Sequence, residues 1–182
     1  MEEKNKAWKT VSSKYLFRRP WLTVRCEDML LPNGNHIPEY YILEYPDWVN
    51  TIAITKEGKF VFVRQYRPGI QRTCYELCAG VCEAEDASPL VSAQRELWEE
   101  TGYGKGNWQE YMVASANPST HTNLTHCFLA TDVELIDHQH LEDTEDLSVH
   151  LLTLEEVRSL LENNEIMQSL NAAPLWKYMA SL

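Results

Sequence analysis

No stretch of this 182-residue sequence is apolar for long enough to cross a bilayer, which takes about 20 consecutive residues. Its charged start, Met1-Glu2-Glu3-Lys4-Asn5-Lys6, carries no apolar leader core, so a cytoplasmic protein without a membrane partner is expected. Basic residues are scarce: 16 Lys and Arg stand against 27 Asp and Glu, a net charge of −11. That balance argues against a nucleic-acid backbone as partner. It also repels an anionic phosphate substrate unless a metal and local arginines reverse the field. Cysteine is sparse and odd in number, five in all, so a paired disulfide framework is not expected and reduced thiols are the plainer reading. Internal repeats, low-complexity tracts and a second-domain linker are absent too, and the length suits a core that needs no staples.

What the chain does have is concentrated in Arg95-Glu96-Leu97-Trp98-Glu99-Glu100-Thr101-Gly102-Tyr103. Glu96 and Glu100 are four apart, so on a helix they share a line about one turn apart. Arg95 and Glu99 occupy the adjacent line, where opposite charges can pair. Ser88-Pro89 is a helix start, Ser at the N-cap and Pro at the first helical position, where its missing N–H costs nothing. Gly102 is suited to the left-handed residue that ends a helix. The spacing therefore predicts a helix over Pro89 to about Thr101, with Leu90, Ala93 and Leu97 as its core stripe. Paired carboxylates at this spacing suit a hard cation such as Mg²⁺. The alternative is an exposed, salt-bridged face.

With Cys78-Ala79-Gly80 upstream, the segment resembles the Nudix box, in which Gly and Glu precede Arg-Glu-apolar-x-Glu-Glu-x-Gly-apolar. The second half matches throughout. In the first half Asp86 stands where Glu is expected, with Glu83 and Glu85 nearby, and the spacing to Arg95 is one residue longer, placed as an insertion around Ala87-Ser88. Outside the box, Tyr45-Pro46-Asp47-Trp48-Val49-Asn50, Arg64-Gln65-Tyr66-Arg67, Asn117-Pro118, Phe128-Leu129-Ala130 and Ser169-Leu170-Asn171-Ala172-Ala173 are similar to landmarks of the ADP-ribose pyrophosphatase-like branch.

That resemblance implies an α+β fold: a Nudix α/β/α sandwich with a mixed sheet over residues 46–182, and a small N-terminal antiparallel β-sheet over 1–45 that helps build a homodimer. It implies metal-dependent hydrolysis of a diphosphate bond in ADP-ribose or a nucleotide sugar, with Mg²⁺ or Mn²⁺. The metal ligands would be Glu96, Glu100 and the Ala79 backbone carbonyl. Arg95 would pair with Glu99 or another acid of the box and orient the helix, and Glu99 is a further candidate ligand. Glu145 is the candidate base, with Glu142 second. Arg67 would meet the diphosphate, since a guanidinium suits bidentate contact with phosphate oxygens. Glu76 would either pair structurally or help the metal site. A nucleobase needs aromatic partners, for which Phe17, Trp48, Tyr15 and Trp21 are candidates. In the family pattern Cys74, Cys78 and Cys82 fall on a strand end and loop rather than in a zinc knuckle. The box does not discriminate ADP-ribose from other dinucleotide or nucleotide-type substrates. A non-catalytic, ligand-sensing domain is the reading from a different class.

Elsewhere the local signals predict strands. Lys9–Phe17 and Trp21–Leu30 are rich in β-branched and aromatic residues, and Pro32-Asn33-Gly34-Asn35 turns into a third strand over 37–44. Val49–Thr55 and Lys59–Tyr66 flank a hairpin turn at Lys56-Glu57-Gly58. Period two places Gln65 and Arg67 on one face and Arg64 on the other. Further strands are expected over 73–78, 108–116, 125–133 and 150–152. The polar loop 117–123 matches a substrate-facing segment of the branch, and His121 and His126 carry either a catalytic or a plain surface reading. Thr153-Leu154-Glu155-Glu156 has the capping-box form that starts a helix. A last helix over 168–180 contains Pro174, which is expected to kink or restart it.

Overall fold

The computed structural model describes residues 6–182; the charged start, Met1–Asn5, lies outside the described residues. The chain divides into two compact units: residues up to Tyr45 with Asn117–Asn123, and Pro46–Ala116 with Leu124–Leu182.

The first unit is a three-stranded antiparallel sheet of β1 (Lys9–Arg19), β2 (Leu22–Leu30) and β3 (His36–Glu44), in that spatial order. Every residue of β1 is exposed. Polar pairs tie the strands together: Glu27, buried, receives the Thr10 hydroxyl and the Arg25 guanidinium, and Arg25 also meets Glu44. The loop 117–123 joins this unit because Leu43 N–H donates to the Thr120 carbonyl (2.8 Å) and Thr122 N–H to the Leu43 carbonyl (3.1 Å). His121 lies in this loop against the Tyr45 ring, with 5.2 Å between centroids.

The second unit is built on an eight-stranded mixed sheet. Its strands are β4 (Trp48–Thr55), β5 (Phe60–Arg67), β6 (Arg72–Glu76), β7 (Cys78–Val81), β8 (Tyr103–Gly104), β9 (Asn107–Ala114), β10 (Thr125–Leu135) and β11 (Leu147–Leu152). The main path runs β11-β5-β4-β10-β8. Only β4 and β10 pair in parallel; β6 adds to β5, β7 to β4 and β9 to β10, all antiparallel. Three helices cover it: α1 (Pro89–Thr101), α2 (Leu154–Glu162) and α3 (Ser169–Met179).

Strand alternation sorts the core into two layers. Ile52, Ile54, Phe60, Phe62, Cys127 and Leu129 pack with Val157, Leu161 and Leu175 of α2 and α3. Their neighbours Ala53, Val61, Ala130 and Val133 pack with Leu97 of α1, and Val49 and Phe128 with Ala93. The result is an α/β/α sandwich.

Local chemistry sets the helix ends. Ser88 is the N-cap of α1, its hydroxyl accepting from Val91 N–H, and Gly102 closes the helix at φ 73° with its N–H on the Trp98 carbonyl. In α2 both arms of the capping box form between Thr153 and Glu156.

Two expectations change. The run 73–78 is not one strand: it breaks at Leu77, β6 continuing against β5 and β7 moving onto β4. And α3 runs through Pro174 as one helix. Proline has no N–H for the carbonyl four residues back, that of Leu170. Asn50 of β4 supplies the donor instead, its Nδ2 standing 2.8 Å from the Leu170 oxygen.

Candidate active site

β7 and α1 lie side by side, and their contact builds the acidic half of the site. The Ala79 N–H donates to Glu100 Oε2 at 3.1 Å. Gly80 touches the Glu96 carboxylate so closely that a Cβ at position 80 would overlap it. The one-turn spacing of Glu96 and Glu100 thus becomes two carboxylates held against a single strand end.

Arg95 does not enter this space. Its Nη1 bonds Glu96 and Glu99, each at 2.9 Å, while Nη2 bonds the Val81 carbonyl and Asp86, each at 3.0 Å. Burial disfavours the charge of Arg95, but Asp86, Glu96 and Glu99 more than offset that and hold it firmly protonated. Asp86 therefore has a role that the sequence left unassigned: it ties the loop after β7 to the helix. The extra residue before Ser88 is absorbed in that loop, and α1 starts undistorted. Glu83 reaches only the edge of this cluster, 3.8 Å from Arg95.

The electrostatics of the carboxylates are unusual for an exposed helix face. Burial pushes Glu100 up to about 8, and the charges of Glu96 and Glu145 push the same way, against the hydrogen bonds from the Cys78 thiol and the Ala79 N–H. Burial also raises Glu96, with Arg95 opposing it. The Cys78 thiol is raised well above its ordinary range by burial and by the neighbouring carboxylates. Glu145 is exposed, and its carboxylate accepts the Glu142 N–H at 3.0 Å. The charge of Glu145 is among those that raise Glu100.

A cavity of about 560 Å³ opens beside this cluster. Ala79, Gly80 and Val81 form one wall, Trp48 and Asn50 another, and Arg67, Glu76, Met167 and Gln168 the rest. Arg67 is paired with Glu76 by Nε at 2.8 Å and Nη2 at 2.5 Å, and both residues line the cavity. The pair holds Arg67 firmly protonated, with the charge of Glu100 adding to the effect. The Nη1 donors remain for a ligand.

The donor set fits a hard divalent ion. Glu96, Glu100 and Glu145 offer oxygen only, and Glu100 is buried with other acids near it and, among the described residues, no Lys or Arg paired with its carboxylate. Such a group ionises readily only beside a cation.

Phe17, Tyr15 and Trp21 belong to the three-stranded sheet, where each is exposed. His126 is held by Asp47 (3.4 Å) and Glu110 (3.2 Å), which gives it a structural role. Asn50, Met167 and Gln168 were not anticipated. They come to one cavity wall only when β4 and the segment leading into α3 are brought together, and no local pattern marks them.

Comparison with known proteins agrees with this geometry. A family model described as the NUDIX domain matches residues 45–172, and one described as the nucleoside diphosphate sugar hydrolase N-terminal domain matches residues 8–43. An ADP-ribose pyrophosphatase of Bacillus subtilis is 31% identical over 165 residues, covering 90% of this chain and 88% of its own. A methanol dehydrogenase activator of Bacillus methanolicus is 30% identical over 162 residues, covering 88% and 86%. The fold matches a crystal structure of an ADP compounds hydrolase with a TM-score of 0.85 at 20% identity, over 99% of this chain and 96% of that one. The paired carboxylates on a capped helix, the strand end pressed against them and the span of these matches agree: the chain belongs to the Nudix family.

Proposed function

We propose that this protein hydrolyses the diphosphate bond of ADP-ribose, releasing a nucleoside monophosphate and a sugar phosphate, with Mg²⁺ or Mn²⁺ as cofactor. The observation that carries the reading is that Glu96 and Glu100 are held against Gly80 and Ala79, on the wall of the cavity that Arg67 also lines. An anionic diphosphate needs both a cation-holding cluster and a guanidinium, and the net charge of −11 would otherwise exclude it. The full-length similarity to an ADP-ribose pyrophosphatase supports the substrate class.

Glu96 and Glu100, with the Ala79 carbonyl, would hold the metal; Glu99 is engaged by Arg95 and is the lesser candidate. When bound, the ion neutralises developing charge on the phosphoryl oxygens and acidifies water. Arg67 presents its Nη1 edge to the diphosphate while Glu76 fixes its plane. Glu145 accepts the proton of the attacking water as the new P–O bond forms and the bridging P–O bond breaks. Arg95 touches no substrate; it positions Glu96. Trp48 on the cavity wall is suited to stacking on a base or ribose, and Phe17, exposed on β1, is a further aromatic candidate.

A nucleotide-sugar substrate is the second reading, favoured by the match of residues 8–43 to the nucleoside diphosphate sugar hydrolase N-terminal domain. The exposed apolar side chains Val11, Phe17, Trp21 and Leu22 of that region support a homodimer, and sedimentation analysis tests it. The five cysteines, all free, support a reducing, cytoplasmic setting. No helix among the described residues is long and apolar enough to span a membrane.

The test is a metal-dependent assay on ADP-ribose and a panel of nucleotide sugars. Phosphate that appears only after phosphatase treatment of the products means cleavage at the diphosphate. Tight binding without turnover across the panel would replace the enzyme reading with a sensor.

A further inference from the structure

Beyond the carboxylate cluster, a second group of ligating side chains stands against the C-terminal turn of α1. Asp137, His138 and His140 lie in the loop after β10, and one ligating atom from each comes within 4.8 Å of the other two. Both imidazoles converge on one carboxylate: His138 Nδ1 is 2.7 Å from Asp137 Oδ1, and His140 Nε2 is 3.0 Å from Asp137 Oδ2. We propose that these three residues form a separate cation site that takes a borderline transition ion such as Zn²⁺ or Ni²⁺.

The ligand chemistry sorts the two sites. Two imidazole nitrogens and one carboxylate oxygen suit Zn²⁺, Ni²⁺ or Cu²⁺, whereas the oxygen-only cluster at Glu96 and Glu100 suits Mg²⁺. Ligands that share one tetrahedral ion with bonds of about 2.0–2.2 Å stand about 3.3–3.6 Å apart, so the carboxylate and each imidazole, now 2.7 and 3.0 Å apart, need to separate by well under 1 Å to admit the ion.

The loop is also built, not merely exposed. The His140 ring stacks on Trp98 with 4.2 Å between centroids, and its backbone N–H donates to the Glu99 carbonyl at 2.8 Å. Gln139 Nε2 donates to the Glu100 carbonyl at 2.8 Å, and Ile136 N–H to the Gly102 carbonyl at 2.9 Å. Gly102 lets this loop approach, since a Cβ there would strike the Asp137 carbonyl. The C-terminal turn of α1 has no basic residue. A cation held here sits where the helix dipole is negative, a second reason for it to bind. Because the same loop grips the carbonyls of Glu99 and Glu100, occupancy would stiffen the turn that carries the active-site acids.

The test uses untagged, full-length protein in excess Mg²⁺, which fills oxygen-only sites, with Zn²⁺ binding followed by equilibrium dialysis. One Zn²⁺ per chain is expected. His138→Ala, at an exposed position that the fold does not need, should weaken binding by at least about tenfold. His36→Ala, at another exposed His–Asp pair (2.7 Å to Asp28), should not. A separate readout is quenching of fluorescence by Ni²⁺, which should largely disappear in Trp98→Phe. Binding unchanged in His138→Ala, or weakened equally in His36→Ala, would overturn the site.

Discussion

Gly80→Ala separates the fold from the chemistry. A methyl group at position 80 overlaps the carboxylate of Glu96, so that carboxylate must withdraw by more than about 1 Å to restore van der Waals separation. The obstacle is the far end of a flexible side chain, not backbone, and residue 80 does not have a left-handed φ. The strand can therefore accept alanine. Restricting the unfolded chain contributes about 0.4–1 kcal/mol of stability. Disturbing the part-buried Glu96–Arg95 pair costs about the same. The two nearly cancel, so Tm should move by no more than about 2–4 °C for a chain of this size. The rate has no such compensation. Misplacing a reacting group by 1 Å costs roughly 10²-fold, or about 2.7 kcal/mol of barrier. Initial rates of ADP-ribose hydrolysis should fall by that factor, while calorimetry shows a native-like transition. Because both substitutions act through one carboxylate, the Gly80→Ala/Glu96→Gln double variant should be little slower than Glu96→Gln alone. Wild-type turnover in Gly80→Ala would refute the placement of Glu96 in the site. A collapse of Tm by tens of degrees would refute the assumption that the side chain is what yields.

Glu100→Gln should lower kcat by at least about 10²-fold and yet stabilise the metal-free protein at alkaline pH. A carboxyl raised to about 8 keeps its contribution to folding below its unfolded value of 4.5 and loses it as pH rises through 8. Thermal melts in chelator should show wild type losing on the order of a few kcal/mol across that window, with the Gln variant flat; parallel curves would contradict the burial argument. By the same linkage, binding of Mg²⁺ ionises Glu100, so near pH 7 calorimetry in buffers of different ionisation enthalpy should register close to one proton released per ion bound, and none in the Gln variant. Arg67→Ala leaves the Glu76 side chain, only 3% exposed, without its partner, which should cost about 1–3 kcal/mol in denaturant melts as well as raise KM; an unchanged midpoint would mean that water replaces the pair. Asn50→Ala strands the Leu170 carbonyl and should cost about 1–3 kcal/mol, and adding Pro174→Ala, which restores a helix N–H, should recover part of it; strict additivity of the two would argue against this account of α3.

Several features were legible before the fold because their causes are local. Ser88-Pro89 and Gly102 fix both ends of α1 through a cap, a missing N–H and a left-handed φ, all decided within a few residues. The Thr153–Glu156 capping box is of the same kind. Period-two alternation in β5 was readable, and it agrees with Phe60 and Phe62 facing one core layer and Val61 the other. By contrast, the break at Leu77 depends on which neighbour each half pairs with, and partner choice is not written in a six-residue run. Pro174 looked like a breaker because the donor that relieves it, Asn50, is 120 positions from the carbonyl it satisfies.

The sequence by itself determined the Nudix family, the α+β class and the helix that carries Glu96, Glu99 and Glu100, because spacing along one helix fixes which side chains share a line. Only the tertiary structure decided what those carboxylates face. Packing β7 against α1 buries Glu100, presses Glu96 onto Gly80, gives Arg95 to Asp86 and brings the charge of Glu145 to bear. Desolvation and mutual repulsion depend on distances across the fold, and these turn a charged helix face into a buried acidic cluster on which the proposed metal site rests.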